Sequence, residues 1–173
     1  EHRNALKKGK SLHKSYYRFQ RKNIVEMEAD HFASNLLMPT SRFKQAVQTR
    51  KFDFSLIESL TKEFGTSLSA TLLKYIEIDA YPIMVVFSRD NMIEYSWKSH
   101  DFPYKYFIKK KKKKTPPLTV AGDYFNNGLK CDDTEIVEAS EWFSSYDDIR
   151  GIKLFEKCIF PNYGKIAISI IWQ

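Results

Sequence analysis

Asn23 to Phe43 reads NIVEMEADHFASNLLMPTSRF, and within it Glu26 and Asp30 stand four residues apart. On a helix that spacing puts both carboxylates on one face, beside the small residues Ala29 and Ala33. Such a pair suits a zinc site. Glu26 would supply an oxygen ligand, and Asp30, one turn later, would accept the N–H of a histidine ligand and fix its tautomer. The same logic underlies zinc hydrolases that take two histidines from H-E-x-x-H on one helix and a third ligand from a second helix. A structural reading stands beside it. Asn23 is a favoured N-cap residue and Glu26 follows three positions later, so the two form a variant capping box, with Asp30 an exposed helix residue complementing the dipole. The local sequence leaves both readings open.

The longer pattern EMEADHFASNLLMPTSRF resembles the signature of the ImmA/IrrE family of zinc metallopeptidases, in which E-x-E-A-N/D-x-F-A-x-x-L-L-M-P follows the zinc-binding helix. The opening EHRNAL is similar to the segment that follows the family's H-E-x-x-H helix, and a weaker similarity continues through YPIMVVFSRDNMIEYSW. The resemblance implies an intracellular zinc endopeptidase that relieves repression by cleaving a transcriptional regulator. It implies zinc that polarises the scissile carbonyl and lowers the pKa of its bound water, with the Glu of H-E-x-x-H as general base. Carried onto this chain, it makes Glu26 the third zinc ligand and Asp30 the partner of a histidine ligand. The chain departs from the pattern in one respect: it contains no H-E-x-x-H. Its histidines are His2, His13, His31 and His100, and none has another four positions away. Either the zinc helix precedes Glu1 or the protein is a regulatory relative without peptidase activity. The first is expected, because Glu1 stands where the family's post-helix segment begins. These residues offer one ligand from the motif where catalytic zinc sites use three, so alone they are expected to hold no zinc and to be inactive.

Other candidate groups carry less chemistry. His2 and His13 sit in a lysine-rich stretch and read as exposed. His31 adjoins Asp30, but adjacent helix residues do not share a face. Met38 before Pro39 reads as packing at a helix end. Cys131 and Cys158 lack C-x-x-C spacing, which argues against a disulfide framework or a cysteine zinc site and fits a reducing cytoplasm.

The elements that must position these groups divide into two compositional halves. From Glu1 to Asp79 the pattern is helical; after Tyr81-Pro82 it changes to short β-rich runs. Val25, Ala29, Phe32, Ala33 and Leu36 follow helical spacing and predict a core stripe ending at Met38-Pro39. DFSLIESLTKEFG and TSLSATLLKYIEI predict two short helices joined at Gly65, with Asp53 or Ser55 capping the first and Ser67 the second. YPIMVVF and MIEYSWK flank the turn-rich Ser88-Arg89-Asp90-Asn91 and predict a hairpin. KLFEKCIF and KIAISIIW, around Pro161-Asn162-Tyr163-Gly164, predict another. The expected fold is therefore α+β: residues 1–79 as the helical part of what the resemblance makes a zincin-like domain, then a small antiparallel sheet domain over 80–173.

Composition bounds the partners. Of 173 residues 43% are hydrophobic and 15% aromatic, enough for a substantial core. No apolar run approaches membrane-spanning length, so no membrane partner is expected. The net charge of +7 includes the run Lys109 to Lys114, which ends in Thr115-Pro116-Pro117 and reads as a solvated loop. DNA binding is the rival function, because LTKEFGTSLSATLLKY has the outline of a helix-turn-helix. Ala70 and Thr71 stand where that pattern wants a buried aliphatic residue, Leu72 comes one step late, and Lys74 is the second helix's single basic residue. A helical hairpin is the expectation, and nucleic acid is not expected as a direct partner. A third class is a sensor whose aromatics, Trp97, Trp142 and Trp172 among them, enclose a small ligand; strand-spaced aromatics otherwise read as core. The expected partner is a protein substrate, a repressor; the oligomeric state is not readable.

Overall fold

The computed structural model describes residues 32–103, the backbone of 107–108, and residues 114–162 and 164–173. The chain divides into two compact units, Glu1–Pro39 and Thr40–Gln173. In the first, residues 32–37 are helical and stop at Met38-Pro39 as expected. Of the predicted core stripe, Val25 and Ala29 lie outside the described residues, and the remainder needs correction: Ala33 is exposed, Phe32 and Leu36 are 70% and 68% exposed, and Met38 is buried. Helical spacing decides which side chains share a face. It does not decide that the face is covered.

The second unit begins with α1 (Thr40–Val47), α2 (Phe54–Phe64) and α3 (Leu68–Glu77). Asp53 caps α2, accepting the Leu56 N–H at 2.8 Å, while Ser55 Oγ donates to the same carboxylate at 2.6 Å. These two bonds, the Ser55 one foremost, hold the Asp53 carboxyl below its ordinary pKa. Gly65 ends α2 with a φ of 60°, a left-handed position where glycine avoids the Cβ penalty. Ser67 then caps α3 through the Ala70 N–H. The two helices are joined where the sequence places the joint.

After α3 the chain turns to strands: β1 (Ile83–Arg89), β2 (Met92–Lys98), β3 (Phe107–Ile108), β4 (Thr134–Glu138), β5 (Phe143–Ser144), β6 (Lys153–Ile159) and β7 (Ile166–Trp172). Between them lie α4 (Val120–Asn127) and the short α5 (Ala139–Trp142). Five strands form an antiparallel sheet in the order β2-β1-β7-β6-β4, and β3 pairs with β5 in a separate ribbon. The fold is α+β, helices followed by an antiparallel sheet. Both predicted hairpins are present. In the first, Asp90 and Asn91 have φ of 49° and 63°, the paired positive values of a two-residue turn that matches strand twist. The expected division near Ala80 lies within the second unit, between α3 and β1.

While Ile136 of β4 and Phe155 of β6 stay exposed, the sheet is covered on both faces at β1 and β7. On one, Met84, Val86, Leu154, Cys158, Ala167 and Ile171 pack with Val120, Ala121 and Phe125 of α4 and with Trp142 and Phe143. On the other, Phe52, from the α1–α2 connection, meets Tyr75 of α3 at 5.4 Å and Trp172 of β7 edge-on at 5.1 Å. The central β1 is accordingly buried from Ile83 to Ser88, the continuous apolar reading of a strand with two covered faces.

Candidate functional site

The sequence assigns the metal chemistry to Glu26 and Asp30, and both lie outside the described residues, as do His2, His13 and His31. Lys109 to Lys113 lie outside them too. The described structure instead bears on the α2–α3 pair, on a buried carboxylate and on one surface cleft.

In the α2–α3 pair, Thr71 occupies the place where a helix-turn-helix keeps an aliphatic side chain. It is fully buried, and its hydroxyl meets Thr66 Oγ1 at 2.9 Å and Thr61 Oγ1 at 3.1 Å while donating to the Ser67 carbonyl. The turn is thus clasped by hydroxyls. Lys74 is buried as well: its Nζ donates to Thr40 Oγ1 at 3.0 Å and to Glu77 Oε1 at 2.9 Å. The residue on which phosphate contact would rest ties α3 to the start of α1. A side chain held there cannot reach a phosphate.

Sequence reasoning missed Glu156. It is wholly buried in β6, and five donors converge on its carboxylate: the N–H groups of Val120 and Ala121, Trp142 Nε1, Ser169 Oγ and Cys158 Sγ, at 2.8–3.3 Å. Two of these are free N–H groups of the first turn of α4, where the helix dipole favours an anion. Burial and the neighbouring carboxylate push the Cys158 thiol well above its ordinary pKa, so it stays protonated and a poor nucleophile. The signal was in the strand: in KLFEKCI, Leu154, Glu156 and Cys158 share one face. A carboxylate at inward parity needs donors, and these supply them.

An open cleft of ≈ 310 Å³ lies at the surface among Tyr81, Pro82, Asp101, Phe102, Leu154 and Gln173. Beside it, ligand-type atoms of Asp79, His100 and Asp101 lie within 4.8 Å of one another. His100 Nδ1 is 3.1 Å from Asp101 Oδ1, and the Asp101 N–H donates to Asp79 Oδ1 at 3.4 Å. These bonds account for the arrangement without an ion.

A peptidase family model described as the IrrE N-terminal-like domain matches residues 4–74. The ImmA/IrrE likeness is thus shown over that span. The span ends at Lys74 and takes in α1, α2 and most of α3, which places the helical hairpin in the metallopeptidase-like segment. The matched family is zinc-dependent in general. No curated protein gives a significant match to the chain. Among the described residues no helix is long and apolar enough to cross a membrane. The Asp79, His100 and Asp101 group falls outside the matched span, and the 173 residues contain no H-E-x-x-H, so a three-ligand zinc site of the family type does not fit within them alone.

Proposed function

We propose that the chain belongs to a cytoplasmic zinc-dependent endopeptidase of the ImmA/IrrE type, with a zincin-like fold, whose substrate is a transcriptional repressor. Glu26 supplies one carboxylate ligand, and Asp30 orients a histidine ligand by accepting its N–H. The histidines and general base of the motif come from residues other than these 173. The observation that carries this reading is the family match over residues 4–74, which contains EMEADHFASNLLMP. The burial of Lys74 supports protein rather than DNA as the partner.

The test uses the full gene product. Glu26→Gln retains a side chain that serves in a capping box but removes the anionic ligand, so bound zinc is expected to fall with little loss of helix stability. Asp30→Ala is expected to loosen zinc about 10- to 100-fold. Asn23→Ala is the control, costing about 0.5–2 kcal/mol of stability with metal content unchanged. If zinc content and repressor cleavage survive Glu26→Gln while it and Asn23→Ala destabilise alike, Glu26 is a cap and the assignment fails.

A second reading, a non-catalytic regulator that senses a small ligand, is favoured by the cleft at Tyr81 and Asp101. A gene product without H-E-x-x-H would favour it over the peptidase.

A further inference from the structure

β4 is the outer strand on one side of the sheet, and among the described residues β6 is its only strand neighbour. The far row of its peptide N–H and C=O groups therefore faces outward, a template for another extended chain. Its side chains say what kind of chain. Ile136 is 59% exposed and its cross-strand partner Phe155 is 41% exposed. Phe155 stacks on Trp172 at 5.6 Å, and Trp172 meets the buried Phe52, so the apolar pair is the outer end of a row rooted in the core. A strand laid along β4 would extend that row.

The charge along 131–149 is equally one-sided, with Lys153 of β6 standing across from Glu138. In a chain of net charge +7, no basic residue stands between Lys130 and Arg150, and seven acids do. Asp132, Asp133, Glu135 and Glu138 are exposed, and among the described residues none of them forms an ion pair. Acidic side chains on an open edge reject other acidic or neutral edges and admit a basic one. Two copies joined edge to edge through Ile136 would set Glu135 opposite Val137 and Glu138 opposite Thr134, so that these carboxylates would gain no cation from the second copy.

We propose that the β4 edge docks an extended basic segment of a partner protein as an added strand. Its apolar side chain sits on Ile136 and Phe155, and its lysines or arginines stand opposite Glu135 and Glu138. Main-chain bonds supply affinity and the alternating side chains supply selectivity.

The test titrates the full chain into the labelled peptide acetyl-TKTVKTK-amide, whose valine opposes Ile136 and whose lysines oppose Glu138 and Glu135, and reads fluorescence anisotropy. Two further peptides carry N-methyl groups on alternate amides, one on each parity. Strand addition uses N–H groups of one parity, so one methylated peptide is expected to lose binding and the other to keep it. Glu135→Lys with Glu138→Lys is expected to weaken binding about tenfold or more, and Glu135→Gln with Glu138→Gln by less. All four substitutions are on exposed positions, and near-ultraviolet circular dichroism checks that each variant is folded. Equal binding of both methylated peptides would reduce the site to charge attraction and overturn the proposal. So would concentration-dependent dimers that Ile136→Lys abolishes, which would make a second copy the occupant.

Discussion

Glu156 is a buried carboxylate that forms no ion pair among the described residues, and five donors satisfy it. Removing it orphans buried donors, each costing about 1–3 kcal/mol. Glu156→Leu strands the Val120 and Ala121 N–H groups and Trp142 Nε1, while Ser169 Oγ and Cys158 Sγ keep each other at 3.2 Å, and it is expected to cost more than about 3 kcal/mol. Glu156→Gln keeps the shape but turns an amide NH2 toward other donors, so it is expected to fall between Leu and wild type. Urea midpoints measure both, and an unchanged midpoint in the Leu variant would show that α4 does not depend on the carboxylate. Tyr75 gives a residue-level effect of pH. Burial pushes its phenol from 10.0 up to about 12, favouring the neutral form in the folded state. A folded-state value above the unfolded one gives stability that is present below pH 10 and lost as pH rises toward 12. Tyr75→Phe is therefore expected to flatten the alkaline fall in urea midpoint between those values. The legibility of single residues was uneven. Glu26 and Asp30 were marked by motif, whereas Glu156 needed the placement of two strands and two helices to acquire its partners.

At the level of elements, two glycines separate two kinds of constraint. Gly65 sits at a φ of 60° with nothing within 4 Å of the place a Cβ would take, so its requirement is conformational. Gly65→Ala is expected to cost about 1 kcal/mol and Gly65→Asn less, since Asn tolerates the left-handed region. Gly122, in the first turn of α4, is the reverse: a Cβ there would stand 2.0 Å from the Pro116 carbonyl oxygen. Gly122→Ala is expected to cost upward of about 1–3 kcal/mol, with Asn no better. Thermal unfolding of the four variants distinguishes them, and a tolerated Gly122→Ala would mean that the 116–122 connection gives way. Caps, turns and hairpins were legible because their causes lie within a few residues: Asp53, Gly65, Ser67 and Asp90-Asn91 all act locally. The β1–β7 and β4–β6 pairings, the β3–β5 ribbon and α4 were not, because nothing in 99–133 fixes its partners locally. The exposed Phe32 and Leu36 mark the same limit from the other side.

Across the whole molecule, basic charge is not expected to amount to a nucleic-acid site. Lys74 is spent inside the helical unit, so Lys74→Met is expected to lower stability while leaving retention on DNA and its salt slope unchanged. Replacing Lys109 to Lys114 by Ser and Gly is expected to remove most non-specific retention and flatten that slope. Sequence-specific binding that survives loss of the run and disappears with Lys74→Met would reverse this ranking. The acidic stretch around β4 works the other way, toward basic partners.

The place of β7 carries a further consequence, in time rather than space. It lies between β1 and β6, and its pairing with β1 joins Ile83 to Trp172. The β1–β2 and β6–β7 hairpins close short loops and form on their own timescale, about microseconds. The seam between them closes a loop of most of the unit, whose entropy must be met before its contacts reward it, so folding of the sheet waits on that step. Until residues 166–172 arrive, β1 and β6 each expose an apolar edge, and during synthesis that interval is when the chain is most open to misassembly.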